Sequence, residues 1–117
     1  MKNKNIVQEK SFAFAVRIVK LYKYLMEEKK EYTLSKQILR SGTSVGANIE
    51  EAIGGYTIKD FRHKLSISYK EVREIKYWLR LIRETDYIEE ELFKSLYADA
   101  DELGKLLFTI IKNTKIK

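Results

Sequence analysis

A row of basic side chains with one interleaved tyrosine is the part of this sequence best suited to bind a ligand. Its members recur at spacings of three, four and seven residues, so on a helix they would edge a single face. This basic stripe consists of Lys59, Arg62, Tyr69, Arg73, Lys76, Arg80 and Arg83. Such a stripe can lie along a phosphate backbone, with the tyrosine available for stacking on a base. The pattern favours nucleic-acid binding, with structured RNA among the candidate ligands; a solvated flank that pairs with nearby acids is the alternative interpretation.

A second set of polar residues runs beside the apolar positions of the preceding segment. Ser41, Ser44, Asn48 and Glu51 follow spacings of three, four and three residues. Polar groups so close to a core need partners, because each unsatisfied buried group costs ~1–3 kcal/mol. We expect a structural polar network that fixes helix register or subunit contacts, and a ligand pocket is the alternative. The predicted members of this network are Arg40, Ser44, Asn48, Glu51 and Glu74.

Residues for other kinds of chemistry are scarce. The sequence has no Cys and a single histidine, His63, which excludes thiol catalysis and thiolate metal sites. Ferritin-like di-iron sites need two Glu-x-x-His motifs, whereas Asp60-x-x-His63 is the only similar pattern. The glycine pair Gly54-Gly55 lacks the Gly-x-x-x-x-Gly-Lys pattern of a phosphate loop. We therefore expect no catalytic, cofactor or metal residues, and a protein that is not an enzyme.

Composition places these residues on one folded domain that spans residues 1–117. The chain is 44% hydrophobic, contains no proline and carries a net charge of +6. Residues 1–30 and 54–85 each hold eight Lys and Arg, against three and four acids, whereas residues 86–117 are mildly acidic. No stretch approaches the ~20 apolar residues of a membrane span. We expect a cytoplasmic location and no membrane association.

Apolar periodicity predicts four helices, over about residues 11–30, 33–53, 57–85 and 88–112. The third has the clearest seam, and Thr57 with Asp60 forms a capping pattern at its start. Short connections make each helix turn back on the last, so the fold class predicted is all-α, an antiparallel up-down-up-down four-helix bundle. The seam of the third helix consists of Phe61, Leu65, Ser68, Val72, Ile75, Leu79 and Ile82.

The first predicted helix is apolar on nearly every side, with its charges confined to one narrow strip. A helix of this kind demands more burial than a small bundle supplies, which favours self-association into a homo-oligomer. Tight burial inside the monomer and an interfacial membrane helix are the alternatives. The side chains expected at the oligomer interface are Phe12, Phe14, Ile18, Leu21 and Leu25.

Residues 37–51, QILRSGTSVGANIEE, with Phe61, Glu74 and Trp78-Leu79 in the third helix, resemble a bacterial family. These are the four-helix-bundle proteins of intervening sequences in 23S ribosomal RNA genes. Ala52 departs from the family pattern, which usually has glycine there. The resemblance implies an up-down bundle assembled as a homopentamer. The sequence is also similar to the accessory protein of diversity-generating retroelements, which implies binding to nucleic acid and a reverse transcriptase.

Taken together, these patterns predict a non-enzymatic, oligomeric adaptor without cofactors that binds RNA or DNA through the third helix and the basic N-terminus. The competing prediction is a protein-interaction scaffold for a partner polypeptide, with no role in nucleic-acid binding.

Overall fold

The computed structural model describes the backbone of residues 2–114 and the side chains of residues 6–114. Over this range the chain is all-α, with helices α1 (Lys2–Glu27), α2 (Leu34–Ile53), α3 (Ile58–Glu84) and α4 (Glu90–Asn113) and no strand. The last three helices begin and end within about two residues of their predicted bounds. Thr57 caps α3 as predicted, because its side chain accepts a hydrogen bond of 3.0 Å from the Asp60 amide.

Helix α1 begins nine residues earlier and ends three residues earlier than the predicted range. The Lys- and Asn-rich start hides the apolar pattern, yet Val7 is fully buried in the core. At its other end, Lys30 adopts a left-handed backbone conformation with φ of 53°, and the Glu31 amide donates 2.9 Å to the Leu25 carbonyl. Helix α1 therefore ends in a turn that contains no glycine, so the usual sequence signal of a helix end is absent there.

The four helices share one apolar core, and each helix packs against two others. Helix α1 contacts α2 and α4, and α3 contacts α2 and α4. The described chain extends 49 × 21 × 19 Å, so the core is a narrow column along the helices. The seam predicted for α3 lies in this column: Leu65, Ser68, Val72, Ile75, Leu79 and Ile82 are all buried.

Four of the five side chains predicted to join copies of the chain belong to this core. Phe14, Ile18, Leu21 and Leu25 are buried within the single chain and at most 4% exposed, so they offer almost no surface to a second copy. The expectation for these four is corrected: packing against α2 and α4 satisfies them. Phe12 differs, with 71% of its surface exposed on the outer side of α1.

Glycines let α1 and α2 approach closely. A Cβ atom on Gly42 would lie 2.7 Å from two γ carbons of Ile18, which is fully buried. A Cβ on Gly46 would meet the Ser11 carbonyl oxygen at 3.4 Å. Substitution at Gly42 therefore needs movement of a stiff β-branched side chain inside the core.

We expect Gly42→Ala to lower the free energy of unfolding by about 1–2 kcal/mol, because overpacking costs ~1–3 kcal/mol while the better helix propensity of alanine returns up to ~1 kcal/mol. Urea unfolding followed by circular dichroism measures this change. Gly104→Ala is the matched control, since its Cβ would meet only one Val72 methyl at 3.3 Å. Equal stability of the two variants would contradict the close α1–α2 approach.

Candidate nucleic-acid interface

Part of the basic stripe lines an open groove between the outer edges of α3 and α4, which we call the α3–α4 groove. Its larger section has a volume of about 620 Å³, and a smaller section of about 270 Å³ adjoins it, with Arg73 and Lys76 common to both. The larger section is lined by Lys70, Arg73, Glu74, Lys76, Tyr77, Arg80 and Tyr97. The smaller section is lined by Tyr69, Val72, Arg73, Lys76, Asp101, Gly104, Lys105, Phe108 and Thr109.

The packing of α3 determines which of its residues reach the groove. Val72 is buried, with one methyl within 3.3 Å of the position that a Gly104 Cβ would occupy. Each stripe residue between Tyr69 and Arg80 follows a buried position of the seam by one residue. On a helix this step rotates the side chain out of the core and towards the flank beside α4.

An ion pair joins the two walls of the groove. The Lys76 ammonium donates 2.9 Å to the Asp101 carboxylate, which also pairs with Lys105 at 3.1 Å. The same ammonium lies 4.9 Å from the centre of the Tyr97 ring. This contact fixes the helices at mid-groove and commits Lys76 to an internal partner.

Both members of this pair have shifted pKa values. Partial burial alone would lower the pKa of Lys76, but the hydrogen bond to Asp101 and the proximity of Tyr97 outweigh it, and the net shift is upward. The hydrogen bond from Lys76, followed by that from Lys105, lowers the pKa of Asp101. Both directions favour the charged pair, so the lowered pKa of Asp101 keeps the contact charged to a lower pH than a free aspartate would allow.

The remaining cations of the larger section have no acidic partner among the described residues. Lys70, Arg73 and Arg80 are exposed, and none forms an ion pair within the described part of the chain. The acid beside them, Glu74, is paired with Arg40 and accepts 3.0 Å from the Trp78 indole nitrogen. Internal pairing of the acids leaves the groove with a positive surface.

The structure separates the ends of the basic stripe from its middle. Lys59 and Arg62 lie in the first turns of α3 and do not line the groove. Arg83 pairs with Glu84 at 2.9 Å and Glu90 at 3.4 Å, with its guanidinium 4.0 Å from the centre of the Phe93 ring. Arg83 therefore braces the α3–α4 connection, whereas Tyr69, Arg73, Lys76 and Arg80 meet at the groove.

Several groove residues were not predicted from the sequence. Lys70 and Tyr77 stand one position beyond stripe members, and their seven-residue separation on α3 was a usable signal. Tyr97, Lys105 and Phe108 belong to α4. Their position in the groove depends on how α4 is aligned against α3, and the periodicity of a single helix does not predict that alignment.

The residues predicted to form a polar network divide into separate contacts. Arg40 reaches from α2 to Glu71 at 3.3 Å and to Glu74. Glu51 pairs with Lys64 at 2.9 Å. These ion pairs tie α2 to α3 without involving the remaining members.

Ser44 and Asn48 instead bond within α2, to the carbonyl oxygens of Arg40 and Ser44 respectively. A buried polar link between helices comes from Ser68, whose hydroxyl donates 2.8 Å to the Val45 carbonyl. The sequence placed Ser68 only in the apolar seam.

Metal ligands do not converge in the described residues, which contain no group of three or more His, Cys, Asp and Glu side chains suited to a metal ion. His63 is exposed. None of the four helices, over the residues described, has the length and apolar character needed to cross a bilayer.

Comparison with known proteins identifies relatives of this chain. The family model for the 23S rRNA-intervening sequence protein matches residues 3–109. A 1.70 Å crystal structure of a protein of unknown function from the S23 ribosomal protein family of Bacteroides thetaiotaomicron VPI-5482 is 52% identical, with a TM-score of 0.94 over 95% of this chain and 99% of that chain. None of the curated proteins matches. The family match confirms the resemblance drawn from the α2 and α3 motifs, and the chain belongs to the 23S rRNA-intervening sequence protein family.

Proposed function

We propose that this chain is a cytoplasmic, non-enzymatic adaptor that assembles with copies of itself and binds nucleic acid, structured RNA among the candidates, through the basic face of α3. One observation carries the proposal. Lys70, Arg73 and Arg80 share the α3–α4 groove and have no carboxylate partner in the described chain, whereas the neighbouring acids are paired internally. Free cations gathered in this way match a row of phosphates.

The charge of one groove supports weak nucleic-acid binding by a single chain and stronger binding by an assembly of several chains. Each phosphate neutralised by Lys or Arg releases counterions, so affinity falls as salt rises. A few contacts from one groove give modest binding. Repetition of the groove in an oligomer raises the effective concentration of each further contact.

The proposed assembly is an antiparallel up-down-up-down bundle in each copy, with several copies joined as a homo-oligomer. Gln8 with Glu50 supports the antiparallel bundle because it joins an early part of α1 to a late part of α2. The pairs Arg83–Glu90 and Lys76–Asp101 support it for α3 and α4, because the earlier α3 residue meets the later α4 residue. The exposed side chains Phe12 and Val16 support a joining surface on the outer side of α1. Five copies are the number that the family resemblance implies.

A second candidate function is a scaffold for a partner polypeptide, and another groove favours it. This groove of about 270 Å³ lies between α1 and α4, and its partly exposed apolar lining is Tyr24 and Leu92, with Leu21 and Leu96 buried beneath. Lys20 also lines it, together with Arg17, which is paired with Asp99. An apolar surface with basic residues beside it suits an amphipathic acidic segment. Pull-down of a stoichiometric protein, with unchanged behaviour of the α3 variants below, would favour this function.

The nucleic-acid proposal predicts salt-dependent RNA binding that needs the groove cations. We expect Arg73→Glu with Arg80→Glu to weaken binding without unfolding, and to reduce the slope of log K against log salt by about 1 for each phosphate that the variant no longer neutralises. Adding Lys76→Glu should weaken binding further, because the new carboxylate adds negative charge to the groove and repels Asp101. Fluorescence anisotropy across a salt titration measures these changes.

The control for net charge is Lys23→Glu with Lys36→Glu, which changes two exposed lysines of α1 and α2 outside the groove. It should bind RNA far better than the groove variant. Absence of binding by the wild-type protein at low salt, or an affinity indifferent to salt, would reject the proposal.

Self-assembly predicts a native mass larger than one chain at micromolar concentration. We expect Phe12→Asp to reduce that mass, because it places a charge on the exposed apolar face of α1, while the helical circular dichroism spectrum stays unchanged. Multi-angle light scattering measures the mass. Tyr56→Asp, at a 98% exposed position before α3, is the control and should leave the mass unchanged. A monomeric wild-type protein would refute self-assembly.

A further inference from the structure

We infer that the α3–α4 groove binds unpaired nucleotides, such as the loops, bulges or single strands of RNA, in preference to duplex. This inference rests on the proposed function, and it specifies which form of nucleic acid the groove takes. Its evidence is the set of aromatic rings that accompany the cations.

Aromatic rings line both sections of the groove. In the smaller section, the rings of Tyr69 and Phe108 have centres 6.3 Å apart, and Phe108 is 55% exposed. In the larger section, Tyr77 is 53% exposed and contacts Trp78 edge-on with 5.1 Å between ring centres. In each pair a large apolar ring stays in water although the core lies close by.

Exposure of these rings has a cost in the free protein that a ligand can recover. Burial of exposed apolar surface against a ligand is favourable in free energy. The Phe108 side chain has no polar atom, and it lines the smaller section together with the cations Arg73, Lys76 and Lys105. A ligand with flat apolar faces joined by anionic links complements this pattern, and an unpaired nucleotide chain has that chemistry.

Duplex RNA offers a poorer match to the same surface. In a duplex the base faces are stacked inside and only sugar, phosphate and groove edges are accessible. The exposed rings of Tyr77 and Phe108 would then lie against charged backbone and remain unmatched. Only the cations of the groove would make favourable contacts with the duplex.

The length of the groove supports the same conclusion. Tyr69 to Arg80 spans about 16 Å of the α3 axis, from the rise per residue of an α-helix. Domains that recognise duplex RNA by its shape contact ~16 base pairs, a stretch considerably longer than this groove. A groove of this length fits a few extended nucleotides, with phosphates at Arg73 and Arg80 and bases at the rings.

The test compares poly(U), a single strand, with the poly(A)·poly(U) duplex on the full chain, by anisotropy or filter binding at several salt concentrations. We expect poly(U) to bind more tightly. This result cannot come from charge alone, because the duplex has the higher density of phosphates. We expect Tyr77→Leu and Phe108→Leu each to weaken poly(U) binding by about 5- to 150-fold, the range for loss of one stacked base.

Two controls separate stacking from general effects. Tyr77→Phe keeps the ring and should retain poly(U) affinity. Tyr32→Leu removes a ring of similar exposure, 52%, in the α1–α2 connection and should bind as wild type does. The slope of affinity against salt should be nearly unchanged in the leucine variants, because they keep every cation of the groove.

The outcomes distinguish this inference from the proposed function. If binding depends on salt but the duplex binds equally or better, and the leucine variants match wild type, the inference is overturned while nucleic-acid binding stands. If neither polymer binds, or salt has no effect, both fail and a protein partner is favoured.

Discussion

Burial of the α3 seam is the interaction on which the rest of the structure depends. A buried Leu, Ile or Val side chain contributes about 1.5–3 kcal/mol, and α3 buries Leu65, Val72, Ile75, Leu79 and Ile82 together. Exposed ion pairs contribute ~0–1 kcal/mol each. Rotation of α3 about its axis would thus cost far more stabilising free energy than any rearranged ion pair could restore. The seam sets the rotation of the helix, and the rotation sets which cations face α4.

The same asymmetry of energies explains how far the sequence could be interpreted. Periodicity located four helices and the seam of α3, because apolar burial supplies most of the stabilising free energy and repeats along the chain. It failed at the start of α1, where Ile6 and the buried Val7 form a short apolar pair among Lys, Asn, Gln and Glu. It also assigned Phe14 and Ile18 to an outer surface, since a helical pattern shows that a side is apolar but not which neighbour covers it.

The candidate site was predictable only on the side built by one helix. Tyr69, Arg73, Lys76 and Arg80 could be found by spacing, but Phe108 and Tyr97 come from α4 through its alignment with α3. That alignment depends on contacts such as Lys76 with Asp101, between residues far apart in the chain. The small residues of the α2 motif have a different explanation from a ligand site. Gly42 and Gly46 allow α1 to pack closely against α2, while the side chains of Ser44 and Asn48 donate hydrogen bonds to carbonyl oxygens of α2.

The pairing pattern of the helices also has a consequence for how the chain reaches this structure. Three of the four helix contacts join neighbours in sequence, and only α1 with α4 links distant segments. Loop closure is therefore inexpensive for most of the contacts, and proteins of such low contact order fold rapidly. The α1–α4 contact, which includes Arg17 with Asp99, closes the longest loop. We expect it to form last on folding and to open first under mild denaturation.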